Sequence, residues 1–324
     1  MIRPLIAAAL SLALFAGQLS AQDKKEIDLY DYAAQKSATG VKKIVFVADT
    51  APHGGRGNHE FHAAAVYLAR TLHANYPKAH CVIHCVDTRK GNKIKEQWPT
   101  DLKHADSIIV LLNHARSAVN PAVKEATERG AGFMAIHYGV EVEKGEQGDH
   151  FKKWIGGYFE AFWSVNPHWS PEFKEIPKHE TTRGVKPFTI NDEWYYHMRF
   201  VDGMKGVTPV LSALPSLKTI AGEGKKALSH GGNPDVYKDV ADGKLQAVAW
   251  AFDRPDGGRG FGFTGLHNHK NLANDSFRTL LLNACAWVSK LPVPEAGVPS
   301  TTLDVDALNQ LMRDGDEAVK KRGL

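Results

Sequence analysis

Four short apolar runs without polar alternation punctuate the first half of the chain, at residues 44–48, 81–86, 107–112 and 132–136. Runs of this length and evenness mark strands buried on both faces. From His59 onward the period changes, with Phe61, Ala65, Leu68, Ala69 and Leu72 at helical spacing. Residues 121–129 read as a further helix, with Pro121 in its first turn and Gly130 just past its end. Strands alternating with helices predict an α/β fold in three layers, a parallel sheet covered on both sides. Residues 141–205 break the rhythm: rich in Trp, Tyr, His, Pro and Gly, they read as long site-building loops. Strands are expected again at residues 208–214, 246–253 and 260–266, the last two joined through Asp256-Gly257-Gly258 as a hairpin. An amphipathic helix at 277–291, a Pro-containing linker at 292–299 and a charged helix at 305–321 complete the chain.

Composition narrows the class without naming it. With 43% hydrophobic and 23% charged residues and a net charge of +4, the 324-residue chain is not disordered, collagen-like or a polytopic membrane protein. Arg3, the apolar stretch at 5–15 and Leu19-Ser20-Ala21 before Gln22 read as a signal peptide over residues 1–21, cleaved after Ala21. The stretch is shorter than the roughly 20 residues of a membrane span. An exported protein, periplasmic or extracellular and without a span once processed, is therefore expected. Residues 22–41 read as an N-terminal extension, 42–291 as one large domain, and 292–324 as linker and terminal helix. Cys81 and Cys85, four apart on one predicted strand, would sit roughly 13 Å apart, beyond disulfide reach, although either could bridge to Cys285.

The chain carries 16 histidines against three cysteines, and histidine both titrates near neutrality and binds metals. His53, His59 and His62 follow the first predicted strand, His114 the third, His137 the fourth, and His267 and His269 the last. Ligands of open α/β sheets bind beyond the carboxyl ends of the strands, so His59, His137 and His267 are expected in one pocket. His59-Glu60-Phe61-His62 spaces its histidines three apart rather than four, which excludes the zinc-protease motif but leaves both on one helix face. His267-Asn268-His269, if extended, would point two imidazoles one way, a pair of metal ligands needing a third partner. Glu193, Tyr195, His197 and Arg199, if extended, would likewise share a face suited to sugar hydroxyls, with His168 and Trp169 nearby. Gly258-Arg259-Gly260-Phe261-Gly262 lies inside a hairpin, and the loop at 54–57 lacks the lysine and hydroxyl of a phosphate-binding loop, so no nucleotide cofactor is expected. The basic residues form no stripe, so no nucleic-acid partner is indicated.

Taken together, the strand at 44–49 with His59-Glu60-Phe61-His62, then Ala135-Ile136-His137-Tyr138-Gly139-Val140-Glu141, Gly156-Gly157-Tyr158, Val165-Asn166-Pro167-His168-Trp169, residues 191–199 and residues 258–269 resemble the ThuA-like (trehalose utilisation) family. The resemblance implies a flavodoxin-like, class I glutamine amidotransferase-like sheet with aromatic-rich insertions. It also implies that His137 stands on the turn where that superfamily's amidotransferases carry a cysteine nucleophile, so thiol chemistry is lost. It implies a small carbohydrate as substrate, a glycoside or 3-keto-sugar, and a sugar dehydrogenase as a partner in the same pathway. On this reading His137 and Glu193 are acid/base candidates. His59, His267 and His269 are ligands of a divalent metal such as zinc, and Tyr138, Glu141, His168, Trp169, Tyr195, His197 and Arg199 are substrate contacts. A sugar-binding protein without catalysis and a metal-dependent hydrolase of sugar derivatives are the alternatives.

Overall fold

The computed structural model describes residues 28–30, 40–88, 98–220 and 234–323. The expected signal peptide and most of the expected extension lie outside these residues. The chain forms β1 (Lys42–Asp49), α1 (Phe61–Asn75), β2 (Ala79–Val86), β3 (Ser107–Leu111), α2 (Pro121–Glu128), β4 (Gly132–Ile136) and α3 (Glu146–Ile155). Six two-residue strands follow in the aromatic-rich section: β5 (Gly157–Tyr158), β6 (His168–Trp169), β7 (Glu172–Phe173), β8 (Phe188–Thr189), β9 (Asp192–Glu193) and β10 (Arg199–Phe200). They pair antiparallel as β5 with β10, β6 with β9 and β7 with β8. Then come β11 (Val207–Ala213), α4 (Pro234–Ala241), β12 (Gln246–Asp253), β13 (Arg259–Phe263), α5 (Asp275–Val288) and α6 (Val305–Lys321).

The seven-stranded sheet runs β11-β12-β13-β4-β3-β1-β2. From β2 to β13 every pairing is parallel, in the 2-1-3-4-5 order of flavodoxin-like sheets; β12 and β11 then add antiparallel. The unbroken apolar runs are explained by two cores. Ile44, Phe46 and Ala48 of β1 pack with Phe61, Leu68 and Leu72 of α1 and Leu281 and Trp287 of α5. Val45 and Val47, alternating with them, pack with Val123 and Ala126 of α2 and Phe151 and Trp154 of α3. Helix ends follow local chemistry: Asn120 accepts from Val123 N at 3.1 Å ahead of Pro121, and Asn274 accepts from Phe277 N at 3.0 Å. Among the described residues no helix is long and apolar enough to cross a membrane.

Three expectations change. The helix after β1 begins at Phe61, because His59 adopts a left-handed φ of 52°. His59 and His62 therefore do not share a helix face, and His62 Nε2 instead meets the Tyr30 hydroxyl at 2.9 Å. The last strand stops at Phe263 rather than continuing to 266. All three cysteines are free and buried, so the bridge to Cys285 is not made, and burial pushes the Cys81 thiol up to about 12.

The glycines of β13 serve packing. A Cβ on Gly260 would lie 2.1 Å from the Trp154 carbonyl oxygen of α3. Gly260→Ala is expected to cost about 3 kcal/mol, at the upper end of overpacking penalties, read as a thermal midpoint lowered by several degrees. An unchanged midpoint would show that α3 can move aside.

Candidate metal centre

The carboxyl ends of β1, β4 and β13 deliver three histidines to one point. His137 directly follows Ile136 of β4, His59 closes the loop after β1, and His267 lies four residues past Phe263. His59 N donates to His267 O at 2.8 Å and His269 N to Gly57 O at 2.9 Å, stitching the first and last loops together. His59, His137 and Leu266 all have left-handed φ values, 52°, 53° and 84°. Each costs a non-glycine residue roughly 1–2 kcal/mol, strain of the kind that persists at sites where the surroundings over-determine the backbone.

Hydrogen bonds decide the tautomers. His137 Nδ1 donates to Thr264 O at 2.7 Å and His59 Nδ1 to His53 O at 2.5 Å, since a carbonyl can only accept. In its neutral form either ring presents a bare Nε2, and these two atoms lie 3.1 Å apart. Glu193 Oε2 lies 3.4 Å from His137 Nε2 and accepts from His267 Nδ1 at 3.0 Å, while Glu193 Oε1 accepts from Asn166 Nδ2 at 2.9 Å. Donor atoms of His59, His137, Glu193 and His267 all fall within 4.8 Å of one another. The Tyr195 hydroxyl, 3.2 Å from His137 Nε2, can donate to one imidazole lone pair but not both.

Two facing lone pairs and a carboxylate need a shared proton or a cation between them. Burial, then the neighbouring His137 and His267, push His59 down to about 3, so His59 does not carry that proton. Burial acts to raise the Glu193 carboxyl, but hydrogen bonds and charge from His137 and His267 together hold it well below the usual range. A cation fits the spacing. Zinc–nitrogen bonds of 2.0–2.1 Å imply about 3.3 Å between adjacent tetrahedral ligands, and the three contacts measure 3.0–3.4 Å. Three imidazoles and one carboxylate suit a borderline divalent ion.

The remaining residues divide. The Tyr138 ring lies 6.0 Å from the rings of His53 and His59, and burial pushes its hydroxyl up to about 12, so it stays a donor. Glu141, on the same turn, is pushed up to about 7, chiefly by burial and also by Glu143 and Glu193, against Arg116. The exposed ring of His168 stands 4.6 Å from that of His267, edge to face. Burial raises the Tyr195 hydroxyl well above its ordinary value.

Four expected contacts lie elsewhere. His269 opens a 3-10 turn (His269–Ala273) instead of extending the chain, so it is buried outside the cluster. His197 has a φ of 57°, which breaks the expected alternation; its Nδ1 donates to Trp163 O at 3.0 Å. Arg199 grips Glu160 through Nε and Nη2 at 2.9 and 3.2 Å and stacks 3.3 Å over Trp163. Trp169 alternates away from His168, donates to Trp194 O at 3.0 Å and lines a separate groove of about 800 Å³. His114 also stays apart, donating to Thr88 O at 2.7 Å. Sequence reasoning missed Asp192 and Asn166. The only signal for Asp192 was an acid directly before Glu193.

A family model described as trehalose utilisation, ThuA, matches residues 55–288. No curated protein matches the chain. Among solved structures, a ThuA-like protein from Bacteroides uniformis is 18% identical, with a TM-score of 0.47 over 78% of this chain and 94% of that one. Another, from Parabacteroides merdae, is 12% identical, with a TM-score of 0.48 over 81% and 98%. PurLQS from Thermotoga maritima is 13% identical, with a TM-score of 0.36 over 77% and 97%.

Proposed function

The chain belongs to the ThuA, trehalose-utilisation, family, which supports a role in carbohydrate use, and on that premise we propose that it is a divalent-metal-dependent enzyme acting on a keto-sugar. The observation that carries the proposal is the convergence of His59, His137, Glu193 and His267 with the Nε2 atoms of His59 and His137 left bare. In this reading His137 and Glu193 serve as ligands, and proton transfer passes to Glu141. To serve as a ligand through Nδ1, His267 would carry its proton on Nε2 rather than against Glu193. The bound ion supplies Lewis acidity toward a substrate oxygen.

The chain's own groups do the rest. A carbonyl at C3 of a sugar acidifies the C–H at C2. Ionised Glu141, poised near neutral pH, takes that proton, and the Tyr138 and Tyr195 hydroxyls remain protonated to donate to substrate oxygens. The C2–H electron pair either returns to a proton, giving an isomer, or forms a C1=C2 double bond as the C1–O bond breaks. In the second case the departing oxygen takes its proton from the Glu141 carboxyl. Export after cleavage at Ala21 and supply of the 3-keto-sugar by a sugar dehydrogenase belong to the same proposal.

The test is metal analysis of the purified chain followed by incubation with a 3-keto-glucoside in D₂O under NMR. About one divalent ion per chain is expected, with C2–H exchange that stops on chelation and returns with metal. Neither metal nor exchange would leave the sugar-binding alternative, and ¹⁸O uptake from water without C2 exchange would identify a hydrolase.

A further inference from the structure

We infer that Asp192, which reaches no ligand position itself, is the positioning residue that sets the geometry of the metal centre; the inference rests on the metal reading above. Asp192 is fully buried. Its Oδ1 accepts from Glu193 N at 2.9 Å, His267 N at 3.0 Å and Asn268 N at 3.2 Å. Its Oδ2 accepts from Leu266 N and Asn271 Nδ2, both at 2.8 Å. Five N–H donors on one carboxylate saturate it as an acceptor.

The donors belong to the two segments that must be registered. Glu193 comes from β9, and His267 from a loop more than 70 residues later in the chain. Asp192 ties their backbones together, and the 3.0 Å approach of His267 Nδ1 to Glu193 Oε2 follows from that tie. It also holds the turn in which Leu266 carries its left-handed φ of 84°. Because His59 N donates to His267 O, the same clamp fixes a third ligand. His137 is held through Thr264 O, a group that Asp192 does not itself contact, so loss of Asp192 should act selectively. An amide at this position would turn an NH₂ toward N–H donors.

The test compares cobalt(II) binding and imidazole ¹⁵N–¹H NMR in the full chain and three variants. Asp192→Asn is expected to weaken cobalt binding about 10–100-fold, the range for lost outer-shell partners, and to shift the cobalt absorption bands. It should also remove the His267 Nδ1–H signal of the metal-free protein and keep that of His137. If Asp192→Asn does not fold, Asn271→Ala, which removes one of the five donors, is expected to show a smaller loss of the same kind. The control is Asn283→Ala, at a buried side chain that donates to Thr181 O at 2.9 Å and Arg183 O at 2.8 Å and accepts from Val298 N at 2.8 Å. It should destabilise the fold and leave cobalt affinity alone. Wild-type affinity in the Asp192 and Asn271 variants, or an equal loss in the control, overturns the inference. If the wild-type chain binds no cobalt, the metal reading fails by itself. The metal-free His267 signal then decides: its loss in the Asp192 variant upholds the positioning role, and its persistence removes it.

Discussion

His137→Asn is expected to lower divalent-metal affinity by at least the hundredfold that bounds outer-shell losses, and to abolish C2–H exchange in a chain that still folds. Asparagine is the informative replacement. It tolerates the left-handed φ of 53° at this position better than alanine does, and its amide can still donate toward Thr264 O. What it removes is the bare Nε2 that faces His59. Metal bound only to the folded state stabilises it by about 4 kcal/mol at a thousandfold excess over Kd. Metal at that concentration should therefore raise the wild-type melting temperature and raise that of the variant by no more than about a third as much. Acid should reveal the same ligand set. His59 has its folded pKa near 3 against an ordinary 6.5, so between those values the unfolded chain takes up a proton that the folded chain refuses. That contribution to stability is complete above pH 6.5 and is lost as pH falls toward 3. Metal analysis of His137→Asn beside wild type is the decisive measurement. A variant with one ion per chain and normal exchange would dismiss the site.

What could be read from the sequence depended on the range of the physics involved. Unbroken apolar runs reveal strands buried on both faces wherever they occur, which is why the residues of β4 and β12 are legible without a structure. Strand ends are equally legible, and the tendency of α/β sheets to gather ligands there is enough to bring His59, His137 and His267 onto one list. Periodicity failed where it was extended across loops. His197 and His269 were placed by alternation, yet one has a left-handed φ and the other opens a 3-10 turn, so neither side chain points where an extended chain would send it. Arg199 went astray for a related reason: its Glu160 partner lies 39 residues away, and a half-buried guanidinium is engaged by that carboxylate and the Trp163 indole. Asp192 was invisible because its partners at 266–271 come from the far end of the chain, and nothing in its own neighbourhood signals five converging donors.

Glu141→Gln separates catalysis from stability by giving them opposite signs. General acid/base groups contribute about 10²–10⁴ in rate, so turnover should fall by that order with metal content unchanged. In the wild type the rate should rise through about pH 7 as the buried carboxyl ionises, and the variant should lose that limb. Stability moves the other way. The folded carboxyl holds its proton up to about 7, whereas the unfolded one releases it near 4.5. The folded state therefore binds the extra proton in between, and its stability falls as pH climbs through that window. Glutamine cannot ionise, so the variant should match the wild type near pH 4, gain steadily above it, and exceed it by about 1–3 kcal/mol at pH 8. Urea denaturation at the two pH values reads the difference directly. An equal offset at both would mean that Glu141 ionises as freely in the folded chain as in the unfolded one. Proton transfer at the sugar would then have to come from a different group on the wall of the site.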